Sequence, residues 1–347
     1  MNNPIILIKI AIYIFCIVII SCCSGYSREI FIENKIKTTP QVTPPAHPFP
    51  KKWADNRITY SLLGHSTVLL NIFGETIITD PLLFNRIGPP EIFQNYFGIK
   101  RIQPLPLQRS ELPPIDTILI SHAHYDHLDL PSIKYLQQIN NNTKVITPRK
   151  TAFLIPKKTD KQELDWNKEL ITPQGTKIKA FRVEHYSYVG WGDRSVLMGF
   201  NGYLLEKKGV KIAFFGDTAY RRYRDKNGVY QNGISTKVNW KSRVDANGKV
   251  DLCILPIGDY YYSHNHTDPM EALAISEEVG CKKVLPVHYG TFILTPQKKM
   301  AYNTPLSLLK EQIKNKKFKN RTLCKTIYGK ELPIALTGNE CYLSEKQ

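Results

Sequence analysis

The sequence predicts an α/β fold in which two sheets pack face to face and helices cover their outer faces. Residues 53–347 form the predicted domain, and it opens with short strand-like segments separated at Gly64 and Gly74, as in antiparallel hairpins. Farther along, apolar strand-like segments alternate with segments of helical length. The third observation is the segment 121–130, which carries three histidines and two aspartates directly after one such strand.

Strands and helices are predicted from apolar segments and their boundaries. The strands are expected at 58–62, 66–72, 75–79, 117–120, 145–147, 178–183, 195–205, 210–215, 252–257 and 284–287. The helices are expected at 131–138, 268–279 and 305–313. Asp129 precedes the first helix as an N-cap, with Pro131 in the first turn. Thr267 precedes the second helix as its cap, with Asp268 and Pro269 in the first turn. Residues 84–107 show no period and are predicted to be loop.

The N-terminal residues predict export and a membrane tether. Residues 10–20 are uncharged and apolar, and this stretch is shorter than the roughly 20 residues that span a bilayer. Ser21 and Cys22 follow, an ending that resembles a bacterial lipoprotein signal. Residues 1–22 are therefore interpreted as a lipoprotein-type signal peptide, with an uncleaved membrane anchor as the alternative. Residues 23–52, rich in proline, threonine and lysine, are predicted to be a tether.

Charge and cysteine content bear on partners and compartment. The 47 Lys and Arg residues exceed the 30 Asp and Glu residues, and the net charge of +17 would attract anionic lipid head groups or nucleic acid. The alternative is that the excess lysine lies on solvated faces. Seven cysteines in 347 residues are too few for a disulfide framework. Cys253 and Cys281 lie in apolar segments and are predicted to be buried thiols. A disulfide between Cys324 and Cys341 is possible in an oxidising compartment.

The segment 121–130 has the composition of a metal site. It offers His122, His124, Asp126 and His127. Imidazole nitrogen and carboxylate oxygen are ligands that zinc and similar divalent ions accept. Three later strand ends add His185, Asp217 and His288. Each of these alone has a structural explanation, a hydrogen-bonded histidine or a turn aspartate, but together and in this order they indicate a metal centre.

The motif Ser-His-x-His-x-Asp-His at a strand end, followed by these later residues, resembles the metal motifs of the metallo-β-lactamase superfamily. The resemblance implies a four-layer αββα sandwich with two divalent metal ions, most often zinc, with manganese or iron as alternatives. The implied ligands of the first metal are His122, His124 and His185. Those of the second metal are Asp126, His127 and His288, with Asp217 bridging both. A bridging aspartate disfavours antibiotic hydrolysis and favours hydrolysis of phosphodiesters or thioesters.

A narrower resemblance, over about residues 55–295, is to the N-acyl-phosphatidylethanolamine-hydrolysing phospholipase D family. The matching segments are 63–67, 79–81, 112–116, 121–129, 216–218, 256–258, 266–269 and 288–292. The resemblance implies that His266 lies near the substrate phosphate and His65 near the metals, with a structural histidine as the alternative for both. Asp126 is also expected to orient water and accept its proton, and Asp129 to support the site from outside the ligand set.

Two segments depart from this family's pattern. Arg182, Val183 and Glu184 stand before His185, where the family has another lead-in. Residues 221–249 are polar and basic without a hydrophobic period, and they are predicted to be a surface insertion. These departures put the lipid specificity in doubt, but not the metal ligands.

The resemblance implies a phosphodiesterase of phospholipase D type that releases an N-acylethanolamine and phosphatidic acid. The alternatives are a lactonase acting on a sugar-phosphate lactone, another phosphodiesterase such as one acting on RNA, and a metal-binding surface lipoprotein without catalysis. A signal peptide argues against nucleic acid as the partner, and a membrane tether favours a phospholipid. We therefore expect a membrane-anchored bacterial lipoprotein on the periplasmic or cell-surface side. The sequence does not predict its oligomeric state.

Overall fold

The computed structural model describes residues 46–88, 98–187, 198–221, 236–258, 265–294, 304–314, 322–323 and 332–333. The predicted signal peptide, most of the predicted tether, Cys324 and Cys341 lie outside these ranges. All of the described residues except those beyond Thr295 lie in Pro44–Thr295, which forms one compact unit with Met300–Gln347. Within the described ranges, no helix combines the length and apolar character needed to cross a membrane.

The first sheet begins with the predicted antiparallel hairpins. Its strands are β1 (Ile58–Gly64), β2 (Thr67–Ile72), β3 (Glu75–Thr79), β6 (Thr117–Leu119), β7 (Lys144–Thr147), β8 (Lys161–Glu163) and β16 (Leu332–Pro333). They are ordered β16-β1-β2-β3-β6-β7-β8. β1 to β3 pair antiparallel, and β3, β6, β7 and β8 pair parallel. Because parallel strands end at the same sheet edge, the turns after β3 and β6 lie side by side.

The second sheet carries the later strands. They are β9 (Glu169–Ile171), β10 (Lys177–Arg182), β11 (Asn201–Lys207), β12 (Val210–Phe214), β13 (Val250–Pro256), β14 (Cys281–Val287) and β15 (Thr322–Leu323), ordered β15-β14-β13-β12-β11-β10-β9. β12 to β15 pair parallel. Within the predicted loop 84–107, β4 (Arg86–Ile87) and β5 (Ile99–Lys100) form a short ribbon, so the loop prediction is wrong there. Two-residue strands are too short to leave an alternating pattern.

The helices cover the outer faces of the sheets. They are α1 (Leu130–Ile139), α2 (Trp240–Val244), α3 (Pro269–Val279) and α4 (Thr304–Lys314), with 3-10 turns at Pro50–Lys52, Arg109–Glu111 and Ala152–Leu154. The Asp129 carboxylate accepts a hydrogen bond from Ser132 N at 3.0 Å, which confirms the predicted cap of α1. Asp268 and Glu271 form a capping box at the start of α3.

Two hydrophobic clusters hold the layers together. One joins inward-facing residues of both sheets, such as Tyr60 and Phe214, and extends to Leu273 of α3. The other joins Ile133 of α1 to Ile118 on the opposite face of the first sheet. The layers therefore run helix, sheet, sheet, helix, and the predicted αββα sandwich is confirmed.

The predicted surface insertion 221–249 is not wholly on the surface. Residues 222–235 lie outside the described ranges, but Trp240 and Val244 of α2 are fully buried. The indole of Trp240 lies 6.0 Å from the Phe215 ring and donates to the Tyr220 carbonyl at 3.0 Å. This part of the prediction is wrong because a single short helix anchored by one tryptophan leaves no hydrophobic period over thirty residues.

The prediction of two buried thiols is also wrong. Cys253 in β13 and Cys281 in β14 are both fully buried, but they form a disulfide with their Cα atoms 5.9 Å apart. The two strands are adjacent and parallel, with Val250 opposite Cys281. Two residues 28 positions apart in sequence come within bonding reach only in the folded chain, where their strands are neighbours, and composition does not reveal this.

Candidate metal centre

The ends of four strands bring the predicted site residues to one edge of the sandwich. β6 leads into the segment 121–130, β10 into His185, β12 into Asp217 and β14 into His288. His65 lies in the turn between β1 and β2, and His266 just before α3. All of the predicted residues meet in one cluster. They are His65, His122, His124, Asp126, His127, His185, Asp217, His266 and His288.

The first group consists of His122, His124 and His185. His124 Nδ1 lies 2.9 Å from His122 Nε2 and 3.3 Å from His185 Nε2, so three ring nitrogens converge on one point. The outer nitrogen of His185 contacts the Asn265 carbonyl at 3.0 Å, and that of His122 contacts Ser121 Oγ at 2.9 Å. Burial lowers the pKa of His124 to about 4 and holds the pKa values of the other two rings well below their usual range. The three rings are therefore neutral, the form that binds a metal.

The second group consists of Asp126, His127 and His288. Asp126 Oδ2 lies 3.4 Å from the Nε2 atoms of both histidines. Burial disfavours the charged imidazole, but the Asp217 and Asp126 carboxylates together outweigh it and raise the pKa of His288 to about 9. Burial also disfavours the charged form of His127, but the carboxylates around it, with Asp217 contributing most, hold its pKa well above the usual value. This group combines imidazoles with a carboxylate, whereas the first group contains imidazoles alone.

Asp217 lies between the two groups. Its Oδ2 atom is 3.2 Å from His127 Nε2 and 3.1 Å from His288 Nε2. The same oxygen is 4.0 Å from the Nε2 atoms of both His122 and His185. Burial would raise the pKa of Asp217, but the surrounding imidazoles, led by His127, hold it well below the ordinary value. One carboxylate thus faces both groups as an anion.

His65 and His266 flank the groups on different sides. His65 is 3% exposed, and its Nε2 lies 3.0 Å from Asp126 Oδ2. Burial, with the nearby His288, lowers the pKa of His65 to about 3. His266 Nδ1 lies 3.6 Å from Asp217 Oδ2, and its side chain is 14% exposed. Asp126, at 17%, is similarly exposed, so these two side chains mark the accessible side of the cluster.

Asp80 supports the second group, a role that the sequence analysis did not assign. Its Oδ2 atom lies 2.7 Å from His127 Nδ1 and accepts from Ser121 Oγ at 2.6 Å. The Ser121 backbone N–H donates to the other oxygen at 2.7 Å. Burial raises the pKa of the Asp80 carboxyl despite these contacts. The sequence Thr79-Asp80-Pro81 after a strand indicates a turn, but it does not show which side chain Asp80 contacts.

Asp129, which was predicted to support the site, accepts instead from Ser132 N at 3.0 Å and Ser132 Oγ at 2.5 Å, as the cap of α1. The helix therefore starts directly after the histidine cluster, and the cap fixes where that cluster ends. A role of Asp129 toward the metals stays a prediction.

The chemistry of the cluster fits a divalent metal. Three buried atoms, His127 Nε2, His288 Nε2 and Asp217 Oδ1, have no hydrogen-bond partner among the described residues. Orphaned buried polar atoms are costly unless another group satisfies them. The potential ligand atoms of each group lie within 4.8 Å of one another. The same spacing holds for Asp217 with His122 and His127, and for Asp217 with His185 and His266. Nitrogen and oxygen donors at such spacing suit zinc, manganese or iron.

Comparisons with known proteins agree with the fold and the site. A family model described as a beta-lactamase superfamily domain matches residues 76–289, which is more than half of the chain. The N-acyl-phosphatidylethanolamine-hydrolyzing phospholipase D 1 of Caenorhabditis elegans is 26% identical over 244 residues, covering 66% of this chain and 63% of that protein. A metal-dependent hydrolase of Rubrobacter xylanophilus is 27% identical over 246 residues, covering 69% of this chain and 84% of its own.

A solved structure shares the fold at lower identity. The metallo hydrolase Igni18 of Ignicoccus hospitalis has a TM-score of 0.55 and 17% identity, covering 81% of this chain and 99% of its own. The present chain spans less than two thirds of the nematode protein, so the activity of that whole protein is not carried over by similarity alone. The family match, the relatives and the cluster of histidines and aspartates lead to one conclusion: this chain belongs to the beta-lactamase superfamily and is a metal-dependent hydrolase.

Proposed function

We propose that this protein is a dinuclear-metal phosphodiesterase of phospholipase D type that acts on N-acyl-phosphatidylethanolamine-like lipids. The observation that carries the proposal is the position of Asp217, whose Oδ2 lies within 4.0 Å of ring nitrogens from both groups. A carboxylate in that place can bridge two ions, whereas a single ion would need only one group. The nematode relative named for this reaction supports the choice of substrate.

In this proposal, the two groups hold one ion each. His122, His124 and His185 would hold the first ion, Asp126, His127 and His288 would hold the second, and Asp217 would serve both. When bound, two divalent ions lower the pKa of water and offset the negative charge that develops on a phosphodiester. Zinc is the ion that best suits these donors, with manganese or iron as alternatives.

The protein's own side chains orient and transfer protons. Asp126 is held by the 3.0 Å contact from His65 Nε2 and faces the accessible side, where its carboxylate can orient the attacking water and accept its proton. His266 lies on the same side and is proposed to contact the phosphate. Water oxygen then bonds to phosphorus, and the bond from phosphorus to the N-acylethanolamine oxygen breaks. That oxygen leaves with a proton, and phosphatidic acid remains.

We also propose that the protein is an exported lipoprotein, tethered near its substrate through Cys22. The buried disulfide between Cys253 and Cys281 supports an oxidising compartment, and the net charge of +17 supports attraction to anionic lipid. Metabolic labelling with a fatty acid tests the tether. Label that disappears in the Cys22→Ser variant is expected, and label that persists would contradict a lipid on Cys22.

A substrate panel tests the reaction. Zinc- or manganese-loaded protein is given bis(p-nitrophenyl) phosphate, N-acyl-phosphatidylethanolamine, a sugar-phosphate lactone and RNA. We expect hydrolysis of the first two, with an N-acylethanolamine and phosphatidic acid as the lipid products by mass spectrometry. Hydrolysis of the lactone alone would replace the proposal with the lactonase alternative, and RNA cleavage alone with a nuclease. No turnover by protein that holds two metals would favour a non-catalytic lipoprotein.

A further inference from the structure

Arg101 is a buried cation close to the metal centre. Its side chain lies in the segment after β5 and is only 6% exposed. The guanidinium donates to the Leu63 carbonyl at 3.1 Å, the Leu82 carbonyl at 2.8 Å and the Gln103 carbonyl at 3.3 Å. It also lies 5.5 Å from the Phe292 ring centroid. A rigid five-donor fork can bond several carbonyls at once, which a lysine ammonium on a flexible stem does less well.

The carbonyls that Arg101 binds belong to turns that carry site residues. Leu63 lies two residues before His65, and Leu82 two residues after Asp80, the support of His127. One guanidinium therefore joins the turn after β1 to the turn after β3. It packs so closely on Gly64 that a Cβ there would meet Arg101 Nη1 at 2.5 Å.

The same segment reaches the third turn, that of His288. The backbone N–H of Ile102 donates to the Thr291 carbonyl at 2.9 Å. Thr291 Oγ1 accepts from the His65 backbone N–H at 2.6 Å, and the His288 N–H donates to the His65 carbonyl at 2.9 Å. The turns of His65, Asp80 and His288 are thus tied to each other around Arg101.

These turns need such ties because their backbones are strained. His65, Asp80 and His288 have φ values of 51°, 35° and 59°, in the left-handed region that side chains other than glycine rarely adopt. Strained residues of this kind persist only where the surrounding structure holds them. All three residues act in the second group or beside it, and none belongs to the first.

We propose that Arg101 is a positioning residue for the second metal, an inference that rests on the proposed dinuclear centre. It touches none of the ligand side chains in the contacts described above and acts through the backbone of the turns that carry them. Its loss should loosen the second group and leave the first group, His122, His124 and His185, in place.

Metal affinity measured separately for each equivalent tests this inference. Apoprotein variants Arg101→Met and Arg101→Lys are titrated with zinc in competition with a chromophoric chelator, and their thermal unfolding is followed by circular dichroism. Losing an outer support of a metal site typically costs about 10- to 100-fold in affinity, and we expect this loss for the second equivalent only, in both variants. The matched control is Arg109→Met, since Arg109 also donates to a nearby carbonyl, that of Leu83, but is solvent-exposed.

The outcomes separate this inference from the proposed function. Equal weakening of both equivalents together with a lower unfolding temperature would show a general structural role and overturn the inference. Unchanged binding of both equivalents would also overturn it. A wild-type protein that binds a single equivalent would overturn the dinuclear centre itself.

If neither Arg101 variant folds, a second pair of variants tests whether the connected turns support the second metal. Thr291→Val removes the hydroxyl that accepts from His65 N–H, and Thr291→Ser retains it. Weaker binding of the second equivalent in the valine variant alone would support the tied turns, and equal binding in both variants would overturn them.

Discussion

The first group of the metal centre contains three imidazoles, whereas the second combines two imidazoles with a carboxylate. Burial is the main cause of the low pKa values in the first group, and a serine hydroxyl and a backbone carbonyl contact the outer nitrogens of His122 and His185. In the second group, the carboxylates of Asp217, Asp126 and Asp80 contact the imidazoles, and His288 and Asp80 lie on turns with strained backbones. The second group therefore has the more extended set of supports, and, Asp217 apart, we expect different substitutions to weaken the two groups.

The largest effect is expected from Asp217→Ala, because Asp217 is the residue that both groups share. Its removal takes away the anion that faces the ring nitrogens of both groups. We expect loss of both metal equivalents and a loss of activity beyond the roughly 100-fold that an outer partner costs. Elemental analysis and turnover of bis(p-nitrophenyl) phosphate measure this. Asp165→Ala, at a half-exposed carboxylate, is the control, and two retained zinc equivalents in Asp217→Ala would contradict the site assignment.

A reciprocal pair of variants separates the groups. Asp126→Asn removes an anion from the second group, and His185→Ala removes a ring from the first. We expect Asp126→Asn to lose activity while it retains the first equivalent, and His185→Ala to lose the first equivalent preferentially. Zinc titrations of the two apoproteins show whether the losses fall on different equivalents. Loss of both equivalents in either variant would mean that the groups do not bind ions independently.

A smaller effect is expected from Asp80→Asn. The neutral amide no longer offers an anion to His127 Nδ1, which lies 2.7 Å from Asp80 Oδ2. Weaker binding of the second equivalent by about 10- to 100-fold is expected, with the first unchanged. Isothermal titration calorimetry resolves the two events. Asp116→Asn, at a carboxylate that caps the backbone N–H of Thr76 elsewhere in the first sheet, is the matched control.

The smallest effect is expected from Arg243→Met. Arg243 of α2 donates to Glu184 Oε1 at 2.7 Å and to the Arg182 carbonyl at 3.0 Å, directly before His185. This support reaches the first group, and we expect a loss of no more than about 10-fold for the first equivalent, the low end for an outer partner. If the titration showed weaker binding of the second equivalent instead, Arg243 would support the second group and not the first. Lys241→Met, on the exposed side of the same helix, serves as the control.

Sequence patterns predicted which residues meet in the cluster because most of them follow an apolar strand. His122, His185, Asp217 and His288 follow four strands whose ends the fold brings to one edge. The strand before each residue was sufficient to predict that these residues meet, since strand ends on one side of a sandwich lie close together.

The supporting residues could not be predicted in this way. Asp80, Arg101 and the disulfide partners are defined by contacts across the fold, and no local pattern names those contacts. Arg101 in particular lies in a proline-rich stretch without periodicity, and only the structure shows that it is buried. The Trp240 anchor was missed for the related reason that one buried residue in a polar segment produces no period.

The tie between His65 and Thr291 also has a consequence for the timing of synthesis. These residues are 226 positions apart, so the second group cannot form until nearly the whole domain has been made. A growing chain carries the histidine motif early, but contacts of such long range assemble late. The hydrolase therefore gains its activity only once nearly the whole domain has been made, and an interrupted chain that ends before residue 288 would lack a ligand of the second group and be inactive.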